Sequence, residues 1–199
     1  MTEQEKMSYA LGAAIGSNYA KTNITFDGNA LAKGFNDVIN NGNLAISPDE
    51  IQGLLEKMQE SIDRQNNTSL QEEKKKGETF LAANKKKEGV IETASGLQYK
   101  IIHQGEGKKP QAKDTVEVHY HGTLIDGTVF DSSIMRKQSI EFPLNQVIAG
   151  WTEGVQLMNE GSKFEFYIPC HLAYGDQGAG AQIKGGSTLI FEVELLKVK

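Results

Sequence analysis

Tyr120, Phe130, Trp151, Tyr174 and Phe191 fall in four blocks of the C-terminal half: VHYHGTLIDGTVFDSS from Val118, VIAGWTEGVQLM from Val147, LAYGDQGAG from Leu172 and TLIFEVELL from Thr188. Around them stand polar turns and very few groups able to act as acid, base or nucleophile, so the chemistry they suit is binding in an apolar pocket. Other constellations fail on their spacing. His119 and His121, two apart, share one face of a strand without an evident third metal ligand nearby. Cys170 and His171 are adjacent and point to opposite sides of a strand or turn, a poor thiolate-imidazole pair. Gly105-Glu106-Gly107 lacks the third glycine of a dinucleotide loop and the Gly-Lys-Ser/Thr of a phosphate loop, and no GxSxG elbow occurs.

Whatever positions these aromatics must fold from 199 residues, of which 38% are hydrophobic and 24% charged, the composition of a globular protein with one large domain or two small ones. A single cysteine, Cys170, excludes an intramolecular disulfide and a cysteine-based zinc site. The net charge of -5 divides into -2 for residues 1 to 90 and -3 for the rest, so neither half carries a basic footprint for nucleic acid. No stretch reaches the ~20 apolar residues of a membrane span, and the N-terminus, MTEQEKMSYALGAAIG, is acidic first. The expected location is cytoplasmic, although a mature periplasmic chain stripped of its signal would read the same way.

The periodicity changes once, near Gly89. Before it the pattern is helical, with Met7, Ala10, Leu11, Ala14 and Ile15 on one stripe and Leu31, Phe35, Val38 and Ile39 on another. Ser47 as N-cap, Pro48 at the first position and the acids Asp49 and Glu50 then open a helix expected to run from 48 to 89. Its apolar stripe, Ile51, Leu54, Leu55, Met58 and Ile62, ends early, and from Asp63 to Thr79 only Leu70 is large and apolar. Such a segment is a stalk crossing solvent or a linker broken near Asn66-Asn67. About 60 residues that must bury their apolar stripes make a marginal domain alone, which predicts a homodimer through residues 1–47, completed by the helix to about 62.

After Gly89 the period is two. Val116, Val118 and Tyr120 alternate with Glu117, His119 and His121; Phe164, Phe166 and Ile168 with Lys163, Glu165 and Tyr167; Leu189, Phe191, Val193 and Leu195 with Ile190, Glu192 and Glu194. These are half-buried antiparallel strands. Only Ile148 to Met158 has helical spacing there, so residues 90–199 are expected to form one curved sheet folded over one short helix, an α+β domain.

The four blocks, in this order and at these intervals, resemble the FKBP-type peptidyl-prolyl isomerases over Val90 to Lys199. The N-terminal part, with YALGAAIG and KKEGVIETASGLQYKII, is similar to the dimeric bacterial subfamily that includes the macrophage infectivity potentiators and their cytoplasmic relatives. That activity fits the scarcity of acids and bases. Rotation about an X-Pro bond meets a barrier of ~18–20 kcal/mol from amide resonance and changes no covalent bond. A catalyst needs an apolar slot that takes the proline ring, strips water from the carbonyl and favours the twisted amide, each ~1.4 kcal/mol of differential binding giving a tenfold gain.

The resemblance implies that Tyr120, Phe130, Val147, Ile148, Trp151 and Phe191 form walls and floor, with the Trp151 indole under the proline ring. It implies that Asp131 faces the twisting carbonyl, that Tyr174 donates its hydroxyl to a substrate carbonyl, that the Ile148 amide donates to the bound peptide, and that Arg136 braces Asp131 and Tyr120. No cofactor or metal is implied. The expected partners are unfolded chains with X-Pro bonds, cradled by the paired N-terminal modules as by a chaperone, and macrolides such as tacrolimus and rapamycin. Two departures stand out. Ile140 replaces a common aromatic wall, and Ala181-Gln182-Ile183-Lys184-Gly185-Gly186 keeps Ile183 but has glycines for two family prolines, which predicts a more mobile loop. The rival reading is a proline-peptide-binding chaperone with weak or no isomerase activity.

Overall fold

Three helices begin at residues able to cap them. In the computed structural model, which describes every residue except Lys21 and Asn41, α1 spans Glu3–Tyr19 and closes a capping box. The Thr2 hydroxyl accepts from the Glu5 N–H at 3.2 Å while the Glu5 carboxylate accepts from the Thr2 N–H at 2.6 Å. Asp27 caps α2, Gly28–Ile39, by accepting from the N–H groups of Asn29 and Ala30. Ser47 accepts from Glu50 N–H at 3.2 Å and Pro48 is the first residue of α3, Pro48–Asn84, as its sequence signals require. The helix runs through Asn66-Asn67 without a break and ends before the expected residue 89.

The chain forms two compact units, Met1–Thr68 and Ser69–Lys199. In the first, Leu31, Phe35, Val38 and Ile39 of α2 are each more than half exposed, so the amphipathic stripe read from the sequence is real but not covered within the chain. Among the described residues, every buried apolar side chain lies between Leu97 and Val198.

The second unit is a seven-stranded antiparallel sheet over one short helix. Its strands are β1 (Val90–Glu92), β2 (Gln98–His103), β3 (Thr115–Leu124), β4 (Val129–Ser132), β5 (Ile140–Pro143), β6 (Lys163–Ile168) and β7 (Leu189–Val198), and the helix, α4, spans Ala149–Val155. The spatial order is β1-β2-β6-β7-β3-β4, with β5 also pairing with β3. Residues 121–123 of β3 pair with β4 and residues 115–118 with β5, so one long strand carries both. The period-two reading holds: Val116, Val118, Tyr120, Phe164, Phe166, Ile168, Leu189, Phe191, Val193 and Leu195 are all buried. They pack on Trp151, Val155 and Met158 of α4 and the turn after it.

One strand residue departs from the pattern. Tyr167, expected on the open face, is buried because Phe80 of α3 covers it, with ring centroids 6.0 Å apart. The segment from Asp63 to Thr79, expected as a stalk crossing solvent or a broken linker, is therefore covered in part, since Leu70 lies against Gly185 and Gly186 and Gly77 against Thr188. The sequence hides the contact because close approach, not an apolar stripe, makes it: a Cβ at Gly77 would collide with the Thr188 hydroxyl. Polar groups complete the seam. Asn84 donates to the Gln98 carbonyl oxygen at 3.1 Å, and the Gln98 amide donates to the Leu81 carbonyl at 3.0 Å and to Glu92 at 2.8 Å.

Candidate active site

Trp151 stands where α4 enters the concave face of the sheet, held by the Thr152 hydroxyl donating to the Leu144 carbonyl at 2.7 Å. Its ring is met edge-on by Tyr120 at 5.4 Å and 85° and by Phe191 at 5.1 Å and 88°. Phe130 meets Phe191 the same way at 5.3 Å. Such T-shaped pairs stabilise by about 0.5–1.5 kcal/mol each beyond burial, so the cluster is stiff. Close approach makes room for it: a Cβ on Gly122 of β3 would lie 2.8 Å from both the Phe130 and Phe191 rings.

These rings floor a cavity of about 750 Å³. Ile140, Val147, Ile148 and Ile183 line its sides, and Asp131 and Tyr174 bring polar atoms to it. Ten of the eleven residues singled out from the sequence therefore surround one cavity. Arg136 does not line it; it donates to Asp131 and, at 2.8 Å, to the Tyr120 hydroxyl, with its guanidinium 5.7 Å from the Tyr120 ring centre. The Tyr120 hydroxyl in turn donates to Asp131. Phe142 was missed. It lines the cavity and packs on Trp151 at 5.5 Å, and its alternation with Ile140 along β5 was the available signal. Gln146 and residues 179–182 complete the lining.

Asp131 is positioned by its neighbours. Ser133 accepts from the Tyr120 N–H at 2.8 Å and its own N–H donates to the Tyr120 carbonyl at 3.1 Å. The outward-facing His119 and His121 contact the Ser133 and Ser132 hydroxyls at 3.2 and 3.0 Å. Burial pushes the Asp131 carboxyl up, but hydrogen bonds from Tyr120 and Arg136 outweigh it and hold the group below the ordinary value of 3.8. Burial, followed by the bond to Asp131, raises the Tyr120 phenol above its ordinary 10.0. At neutral pH one is a carboxylate with both oxygens engaged and the other a phenol, so neither is poised to shuttle a proton.

Donors are left over at the cavity. Among the described residues neither the Tyr174 hydroxyl nor the Ile148 N–H finds a protein acceptor, and both residues line the cavity. Cys170 and His171 are not a pair: they lie in the 3-10 turn Cys170–Leu172, and the His171 ring bonds the Ser95 carbonyl at 3.0 Å. No cluster of three or more potential metal-ligating side chains occurs among the described residues.

An antiparallel sheet over a short helix, with an aromatic-floored cavity between them, is the arrangement of the prolyl isomerase class. The chain belongs to the FKBP-type peptidyl-prolyl cis-trans isomerases: residues 106–196 match the family of that description, and residues 4–101 match the domain amino terminal to it. It is 46% identical over 207 residues to the FKBP-type peptidyl-prolyl cis-trans isomerase FkpA of Aeromonas hydrophila, covering 98% of this chain and 76% of the relative. It is 43% identical over 202 residues to the outer membrane protein MIP of Legionella longbeachae, covering 100% of this chain and 87% of the relative. The crystal structure of FkpA from Escherichia coli is similar with a TM-score of 0.75 at 35% identity, covering 100% of this chain and 97% of that one. The protein is thus a peptidyl-prolyl isomerase, with an N-terminal domain of the kind that accompanies that activity.

Proposed function

We propose that the substrate proline lies on the Trp151 indole between Tyr120, Phe130 and Phe191, with Ile140, Val147, Ile148 and Ile183 excluding water around it. The observation that carries this is a cavity floored by packed aromatic rings at which the Tyr174 hydroxyl and the Ile148 N–H have no protein acceptor. A peptide bound there exchanges water for apolar walls, which weakens the resonance-stabilised planar amide relative to the less polar twisted one. Tyr174 and Ile148 hold the flanking carbonyls, so that the chain on one side of proline stays fixed while the other turns. Asp131, kept ionised and immobile by Tyr120 and Arg136, presents its charge to the twisting carbonyl carbon. The same walls suit macrolides such as tacrolimus and rapamycin.

Because no group in this scheme changes protonation, kcat/KM on an X-Pro peptide should be flat from about pH 5 to 9. The stability that Asp131 contributes is fully present above its ordinary value and disappears as pH falls through the lowered one, so any acid limb belongs below about pH 4. A limb near neutrality would overturn this reading of the site.

We further propose that the uncovered stripe of α2 and the apolar residues Leu11, Leu54 and Leu55 pair two chains, and that the paired modules hold unfolded clients for the isomerase domains. The full chain is expected to sediment at twice its sequence mass, and Phe35→Asp at the monomer mass with unchanged peptide turnover; a wild-type monomer would remove the dimer. No described helix is long and apolar enough to cross a membrane. The cytoplasmic location expected from the sequence gains no support from the relatives, one of which is named an outer membrane protein.

A further inference from the structure

The loop that follows Tyr174 reaches the cavity only at its tip, Ala179 to Ile183, where Ala179 N–H donates to the Ile183 carbonyl at 2.8 Å and Ile183 N–H returns the bond at 3.2 Å. Its two ends are joined by Gly186 N–H donating to the Gly175 carbonyl at 2.9 Å. Both ends rest on α3. Nζ of Lys74 lies 2.7 Å from Oδ1 of Asp176 on the outgoing limb. On the returning limb a Cβ at Gly186 would meet the Leu70 carbonyl oxygen at 3.0 Å, Cγ of Lys74 at 3.0 Å and Cδ1 of Leu70 at 3.1 Å. Gly186 has φ +82, and a Cβ at Gly185 would collide with the Asp176 carbonyl oxygen. The glycines thus permit a backbone path that presses the loop base against one helix turn.

None of these contacts is strong alone. The Lys74–Asp176 pair is solvent-accessible, with side chains 29% and 55% exposed, and such pairs are individually weak. Their effect comes from what they restrain. A loop with glycine at both 185 and 186 has a wide range of backbone conformations once its base is released, and few of them place residues 179–183 against the cavity. If only a fraction of molecules holds the loop in place, apparent affinity falls by that fraction while chemistry on the bound peptide is unaffected.

We propose that Leu70 and Lys74 of α3 are positioning residues for the isomerase pocket: they clamp the base of the 175–186 loop and thereby set substrate affinity and which residues beside proline are accepted. This rests on the reading of the cavity as the substrate site.

The test uses the full chain, a set of X-Pro tetrapeptides varied on both sides of proline, and steady-state kinetics with thermal unfolding recorded alongside. Leu70→Ala and Lys74→Glu should each raise KM about fivefold with kcat little changed, and should flatten discrimination among the peptides. Lys74→Glu/Asp176→Lys, which restores the pair with reversed charges, should recover most of the lost affinity. Unchanged KM and selectivity in both single variants, with Trp151→Ala still impaired, would overturn the clamp and leave the site in place. A fall in kcat and unfolding temperature without a KM change would equally overturn it, since that marks a purely structural contact. Unchanged turnover in all of them, Trp151→Ala included, would remove the site itself.

Discussion

Trp151→Ala is expected to lower kcat/KM on an X-Pro peptide by about two orders of magnitude, the largest effect of any single change in the pocket. The indole is only 5% exposed and is the ring on which Tyr120, Phe142 and Phe191 all pack. Removing it takes away the surface that replaces water under the proline ring, and a loss of about 2.7 kcal/mol of transition-state stabilisation is a hundredfold. The same change should destabilise the fold by about 3–5 kcal/mol, as aromatic truncations in cores do. Kinetics at low temperature, with denaturant unfolding to show that the variant is folded, separate the two effects. Trp151→Phe keeps an aromatic surface and should lose much less activity. If Trp151→Ala is folded and turns over peptide like the wild type, proline does not bind on that ring.

The second large effect concerns where the catalytic unit begins. A fragment of residues 69–199 should unfold about 10–20 °C above one of residues 90–199, and should keep the peptide activity of the full chain. The last turns of α3 cover Tyr167 with Phe80, seat Gly77 on Thr188 and supply the Leu81 carbonyl and Asn84 to the otherwise enclosed Gln98. Uncovering one aromatic contact and losing two hydrogen bonds at a buried amide together cost about 3–5 kcal/mol. Equal unfolding temperatures for the two fragments would mean that the helix merely rests on the sheet.

That helix also marks where the sequence stopped being legible. Residues 90–199 were readable because burial on one face of a strand imposes a period of two, and Val116, Val118 and Tyr120 obey it. The start of α3 was readable because Ser47 and Pro48 satisfy local backbone requirements. The docking of Gly77 and Phe80 was not, because a glycine that permits close approach looks the same in sequence as one that weakens a helix. Tyr167 misled for the same reason: alternation assigns a side chain to a face but does not say what covers that face. In the site, the aromatic cluster was visible as residue types. The bridge from Arg136 to Asp131 and Tyr120 was reached only through resemblance, since nothing in their separation along the chain brings them together. Phe142 carries no block motif of its own and shares a strand face with Ile140, two residues earlier, so only alternation along that strand points to it.

In the proposed mechanism the pocket lowers the barrier to amide rotation by desolvation and restraint, with no proton in flight. The most direct measurement is the cis-trans exchange rate of an X-Pro peptide on the full chain in light and heavy water at matched points of the pH profile. The same kcat/KM is expected in both solvents. A substantially slower reaction in heavy water would place a proton transfer in the rate-limiting step and contradict it.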